Sequence, residues 1–140
     1  MDFKTRLQQR LNEYGIEAVS ESGQEALSAY FSVLSHWNQR INLTGFDLSE
    51  PNDMAFDRLI IEPIFAARCY GQQPQRMIDI GSGGGSPGIP LAIVTEAKFV
   101  MPVSPSQPLR LHLQIDQTAG RARFRCETDR GLAAHGEFGL

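Results

Sequence analysis

At 140 residues, with 41% apolar side chains, the chain suits one domain, and it holds no run near the ~18–20 apolar residues that a membrane span requires. Thirteen Lys and Arg against 16 Asp and Glu give a net charge of −3, so the whole chain carries no signature of nucleic-acid binding. Cys69 and Cys126 stand far apart with no CxxC or Cys/His cluster, which argues against a disulfide framework or a zinc site.

The N-terminal MDFKTRLQQRLNEYG is charged and has no apolar h-region, so no secretory signal is expected and a soluble, cytoplasmic protein is the reading. Phe3, Leu7 and Leu11 predict a short amphipathic helix over 2–14, stopped by Gly15. Ser22 or Gly23 opens a stronger helix. Its apolar face is Leu27, Tyr30, Phe31, Leu34, Trp37 and Ile41, and Gly45 is expected as its left-handed C-terminal cap. A third helix spans 54–69, and Pro63 inside it predicts a kink or a late start.

The period then changes. Met77-Ile78-Asp79-Ile80 is a buried-strand candidate that runs straight into Gly81-Ser82-Gly83-Gly84-Gly85-Ser86-Pro87-Gly88. An apolar helical segment follows, with Ser86 as its expected N-cap and Pro87 in its first position. Strand, glycine loop and helix make the front end of an α/β nucleotide-binding unit. Near residue 97 the charge reverses, from net −5 over 1–96 to net +2 over 97–140, and Pro102, Pro105 and Pro108 cluster after it. Leu109, Leu111, Leu113 and Ile115 alternate with polar residues, as do Ala122, Phe124 and Cys126 with Arg121, Arg123 and Arg125, which predicts a β-hairpin. The last ten residues are expected to fray.

Glycines after a strand let backbone lie where a Cβ would collide, and the following helix N-terminus aims N–H groups at the same spot. A P-loop is excluded, because no Gly-Lys-Ser/Thr follows. Asp79-Ile80-Gly81-Ser82-Gly83-Gly84-Gly85 fits the acidic-x-GxGxG of S-adenosylmethionine enzymes, while Gly83–Gly88 also fits a dinucleotide GxGxxG. The dinucleotide register puts its first glycine two residues late, and Asp79 would repel a pyrophosphate. Frame and charge therefore favour S-adenosylmethionine, with a dinucleotide-dependent oxidoreductase as the alternative. A non-catalytic interaction module with a vestigial loop is a third reading.

Tyr30…Leu34…Trp37-Asn38…Ile41-Asn42-Leu43-Thr44, then Arg58-Leu59-Ile60-Ile61-Glu62-Pro63, then Ile78 through Ile93 resemble, in order and spacing, the bacterial 16S rRNA guanine-N7 methyltransferase family (RsmG, once called GidB). The resemblance covers about residues 25–95. It implies an α/β architecture, with an N-terminal helical region over 1–70 and the start of a class I, Rossmann-like methyltransferase domain over 71–97. It implies methyl transfer from S-adenosylmethionine to N7 of a guanine in 16S rRNA or a small-subunit precursor. Gly81, Gly83, Gly85 and Ser86 would line the cofactor, with Asp79 supporting the loop.

Three departures stand out. Leu59, Glu62 and Pro63 replace residues of an Arg-His…Asp-Ser pattern, and Ser86 stands where an apolar residue is usual. No Asp or Glu occurs between Glu96 and Asp116 to grip a cofactor ribose. These features predict weak cofactor binding and a divergent tail over 98–140, a truncated or frame-shifted reading of a longer gene. No catalytic base is nominated, because guanine N7 carries a free lone pair at neutral pH, and no metal ligand is nominated, because the sequence shows no metal-ligand constellation. Trp37 reads as core, with base stacking as its alternative. His36 reads as solvated, and Asn42 and Thr44 read as a helix-end cap.

Overall fold

The computed structural model describes residues 1–50, 52–69, 76–79 and 83–95, together with the backbone of strand segments 98–102, 110–116, 121–128 and 131–139. Helix α1 is Phe3–Glu13, capped by the Asp2 carboxylate, which accepts from the Thr5 N–H at 3.1 Å. Gly15, at φ +62°, turns the chain as expected. Helix α2 is Glu21–Ile41. It begins before Ser22, because the Ser20 hydroxyl accepts from the Gly23 N–H at 3.2 Å and so acts as the cap.

The buried stripe of α2 follows Leu27, Tyr30 and Leu34 as predicted, then departs from the pattern. Its next buried member is Asn38, 8% exposed, whereas Trp37 and Ile41 are 45% and 59% exposed. The reason is the turn beyond the helix. The Asn38 side-chain oxygen accepts from the Thr44 N–H at 2.7 Å, and its amide donates to the Phe46 carbonyl at 2.8 Å. A buried amide with its bonds made costs little, so the stripe can end on a polar clamp. The left-handed residue is Asn42 (φ 47°, ψ 59°) rather than Gly45, since Asn is the side chain that most readily tolerates that region after Gly.

The predicted third helix is broken into α3 (Asp53–Phe56), a π-helical turn (Asp57–Ile61) and α4 (Glu62–Ala67). The helix thus takes up Pro63 by widening one turn ahead of it rather than by starting late. Leu7, Leu11, Leu27, Phe56 and Ile60 are fully buried between α1, α2 and this segment, and the rings of Phe3, Phe31 and Phe56 pack with centroids 5.3–5.8 Å apart. Arg10 and Asp57 tie α1 to the π turn through two hydrogen bonds, and the Tyr14 hydroxyl donates to the same carboxylate at 2.9 Å. This helical body holds most of the described core.

Strand β1 (Arg76–Ile78) and strand β2 (Lys98–Pro102) pair in parallel, with helix α5 (Gly88–Thr95) between them in sequence. Strands β3 (Arg110–Asp116), β4 (Arg121–Thr128) and β5 (Gly131–Gly139) continue the sheet as an antiparallel meander. The hairpin expected from the alternation is β3–β4, with Leu113 opposite Phe124. Residues 131–139, expected to fray, pair along β4 instead, where the ladder satisfies their backbone groups. Strand β2 was not foreseen, because Pro102 hid it. A proline is tolerated at a strand's end.

Candidate functional site

The described residues between β1 and α5 are held by backbone and by the side chains of Tyr30, Asp79 and Ser86. Asp79 sits one residue past β1, and its Oδ2 accepts from the Gly88 N–H at 3.2 Å. The first N–H of α5 is therefore capped from the strand end, not by Ser86 as the sequence suggested. Pro87 precedes the helix, which begins at Gly88. Gly83 and Gly85 take positive φ, +50° and +89°, where a Cβ would strain the backbone. A Cβ on Gly88 would come within 2.5 Å of Asp79 Oδ2, so the capping bond needs glycine at that position. Gly81 lies outside the described residues.

The helical body grips this loop from the other side. The Tyr30 hydroxyl on α2 donates to the Gly84 carbonyl at 3.0 Å. Burial, reinforced by the nearby Asp79 carboxylate, pushes the Tyr30 phenol well above its ordinary value and keeps it a donor. Gly84 lies so close to the body that a Cβ there would meet Leu34 Cδ1 at 2.6 Å and the Leu43 carbonyl at 3.3 Å. Gly85 is buried against Ile89 and Tyr30. The Ser86 hydroxyl donates to the Leu59 carbonyl at 3.1 Å, which fastens the loop's end to the π turn.

Tyr30 escaped the sequence reading as anything but core. The available signal was a tyrosine among Leu and Phe on a buried stripe, since a buried phenol normally finds a partner. Asp79, Gly83, Gly85 and Ser86 do fall together on one loop. Their roles differ, however: Gly83 is exposed, Gly85 and Ser86 face inward, and Asp79 bridges strand and helix.

Beside the loop, residues 42–48 curl back over the end of α2 and enclose an open groove of about 650 Å³, lined by Asn38, Gln39, Asn42, Thr44, Phe46 and Asp47 among others. Leu43 in this turn contacts Gly84, so groove and glycine loop adjoin. Thr44 also stabilises the turn, its hydroxyl accepting from the Phe46 N–H at 3.3 Å. The cap expected from Asn42 and Thr44 is thus built by Asn38 and Thr44, with Asn42 supplying only its backbone conformation.

Among the described residues, no three His, Cys, Asp or Glu side chains gather as a metal site would require, and no helix is long and apolar enough to cross a membrane. The arrangement is chemically a backbone cradle. It combines an exposed glycine, a helix N-terminus and one carboxylate, with no nucleophile–base pair beside it among the described residues.

Comparison with known proteins falls on this same region. The model of the GidB family, described as rRNA small subunit methyltransferase G, matches residues 23–106, extending the resemblance beyond residue 95 into β2. The chain is 36% identical over 110 residues to the ribosomal RNA small subunit methyltransferase G of Ectopseudomonas mendocina, covering 78% of this chain and 50% of that protein. For the proteins of the same name from Bordetella avium and Vibrio campbellii, identity is 39% over 94 residues and 33% over 119. The covered shares are 64% and 84% of this chain, and 40% and 54% of those proteins. The chain spans about half the length of the curated relatives it matches. No solved structure matches it.

Proposed function

Because the chain belongs to the rRNA small subunit methyltransferase G family, we propose that it serves S-adenosylmethionine-dependent methylation of guanine N7 in 16S rRNA, with the segment from Asp79 to Gly88 as its cofactor cradle. The observation that carries this reading is the family match lying across a glycine loop whose described geometry suits a ligand. Gly83 leaves exposed backbone bare of a side chain. Asp79 keeps Oδ1 without a hydrogen-bond partner among the described residues, free to receive an ammonium group. The residues present therefore fit the cofactor.

Asp79, Gly81 and Gly83 would hold its amino-acid end, while Gly85 and Ser86 keep the cradle in shape. S-adenosylmethionine, when bound, supplies a methyl group activated on a sulfonium. The chain's own residues then position and do not exchange protons, since guanine N7 already offers a lone pair. Alignment of the reacting groups is worth up to ~7–11 kcal/mol when complete. We read the architecture as α/β. We propose that residues 1–70 form the helical region and that a class I methyltransferase unit starts at 71 and, beyond the expected boundary at 97, includes β2 within the family match to 106, with the divergent tail after it. The parallel β1–β2 pair flanking α5 supports that unit, since a helical crossover is how such strands connect. An rRNA substrate would support a cytoplasmic location.

Calorimetric titration with S-adenosylmethionine tests the reading. We expect saturable binding by the wild-type chain that Gly83→Val removes, and no comparable heat from NADH. Binding unaffected by Gly83→Val would move the cofactor elsewhere, and a response to NADH alone would favour dinucleotide chemistry.

A further inference from the structure

We propose that Trp37 and Arg40, on the exposed side of α2, form a docking platform for an unpaired base and its phosphate in single-stranded RNA. The proposal rests on the rRNA-directed reading above and adds where that RNA is held. Trp37 is the sole tryptophan of the chain and is 45% exposed. Val33 and Ile41, one helical turn to either side, are 53% and 59% exposed, so the indole lies in an apolar stripe that nothing described covers. The Arg40 guanidinium lies 5.5 Å from the indole centroid, and the His36 ring stands perpendicular to it at 5.7 Å.

Charge selects the partner. Among the described residues, Lys4, Arg6, Arg10 and Arg58 each pair with a carboxylate, whereas Arg40 and Arg68 do not. Both unpaired guanidiniums lie over half-exposed aromatic rings, Arg68 above Phe65. From Ala26 to Phe46 the chain carries no Asp or Glu, and its ionisable side chains other than Tyr30 are His36 and Arg40. In a chain of net charge −3, this stretch of α2 and the turn after it would draw a phosphate without repelling it. A flat π-face beside an uncompensated guanidinium is what unstacked bases and their phosphates use, and it is not selective for sequence.

The sole tryptophan makes the test direct. Trp37 fluorescence is followed while a short unstructured, guanine-containing RNA is titrated in without S-adenosylmethionine, with inorganic polyphosphate as the baseless polyanion. We expect saturable quenching by RNA and none by polyphosphate. Trp37→Ala, followed with end-labelled RNA by anisotropy, should weaken binding about 5- to 150-fold, the contribution of one stacked base. Arg40→Gln should keep the fold and lower the salt dependence of log K by about 0.7, one phosphate contact fewer on a single strand. RNA that does not bind, that binds with Trp37 unperturbed, or that binds Trp37→Ala equally well overturns the proposal. So does an equal response to polyphosphate, or a spectral shift with protein concentration alone, which would assign the stripe to a second copy of the chain. Calorimetry with S-adenosylmethionine on the same preparation reports the cofactor site separately, so failure of one reading does not decide the other.

Discussion

The Ser86 hydroxyl donates to the Leu59 carbonyl at 3.1 Å, and Leu59 is the residue four before Pro63, whose missing N–H would otherwise be that carbonyl's α-helical donor. Pro63 and Ser86 are both positions where the sequence reading expects a departure from the family pattern. One departure removes a donor and the other returns one.

Coupling between them follows. Ser86→Ala should cost about 1–3 kcal/mol of stability, the penalty for leaving a buried carbonyl unsatisfied. In a Pro63→Ala background, where residue 63 regains an N–H, the same change should cost at least about 0.5 kcal/mol less. Urea denaturation of the four proteins of the cycle measures this, and strict additivity would dissolve the link.

Glycines of the chain should divide sharply under substitution. Gly85→Ala places a Cβ 2.5 Å from Ile89 Cδ1 at φ +89°, so a loss of about 1–3 kcal/mol is expected from backbone strain, before any repacking. Gly45 has neither positive φ nor a neighbour within 4 Å of its would-be Cβ. Gly45→Ala should stay within about 0.5 kcal/mol of wild type, as surface changes do. Paired thermal melts decide, and equal losses would contradict the loop geometry.

Asp57 links acid stability to the α1–π turn contact. Burial alone would raise its carboxyl, but hydrogen bonds from Arg10 and Tyr14, with the Arg10 and Arg6 charges, outweigh burial and hold it below the ordinary range. A carboxylate with a lowered folded pKa stabilises fully above its unfolded value, near about 4, and loses that contribution as pH falls through the folded value. Wild type should therefore lose stability relative to Asp57→Asn below about pH 5, with a constant difference above it. Stability curves that stay parallel down to acid would refute the linkage.

Asn38→Ala strips the Thr44 N–H and the Phe46 carbonyl of their partners together. About 2 kcal/mol or more should be lost, and amide exchange at Thr44 should accelerate. Unchanged protection at Thr44 would mean that the turn holds itself.

Much of the helical body was legible because its stabilisation comes from periodic burial: Leu7, Leu11, Leu27 and Leu34 lie where the spacing put them. Trp37 and Ile41 broke the pattern, since a periodicity count weighs hydrophobicity and cannot see that Asn38 has two backbone partners waiting beyond the helix. Ser86 and Pro87 looked like a helix start because local propensity favours them there. A carboxylate nine residues away in sequence, Asp79, took the capping bond instead. The glycine loop itself was plain from composition. Its attachment to Tyr30 was not, because a contact spanning 54 residues leaves no local trace.

That attachment bears on portability. Loops of this kind are often pictured as portable cassettes, but here the bend leans on a phenol contributed by the amino-terminal third of the chain. A fragment starting at Met77, or a graft onto a foreign scaffold, would leave the Gly84 carbonyl without that donor, so the loop's shape depends on residues well outside it.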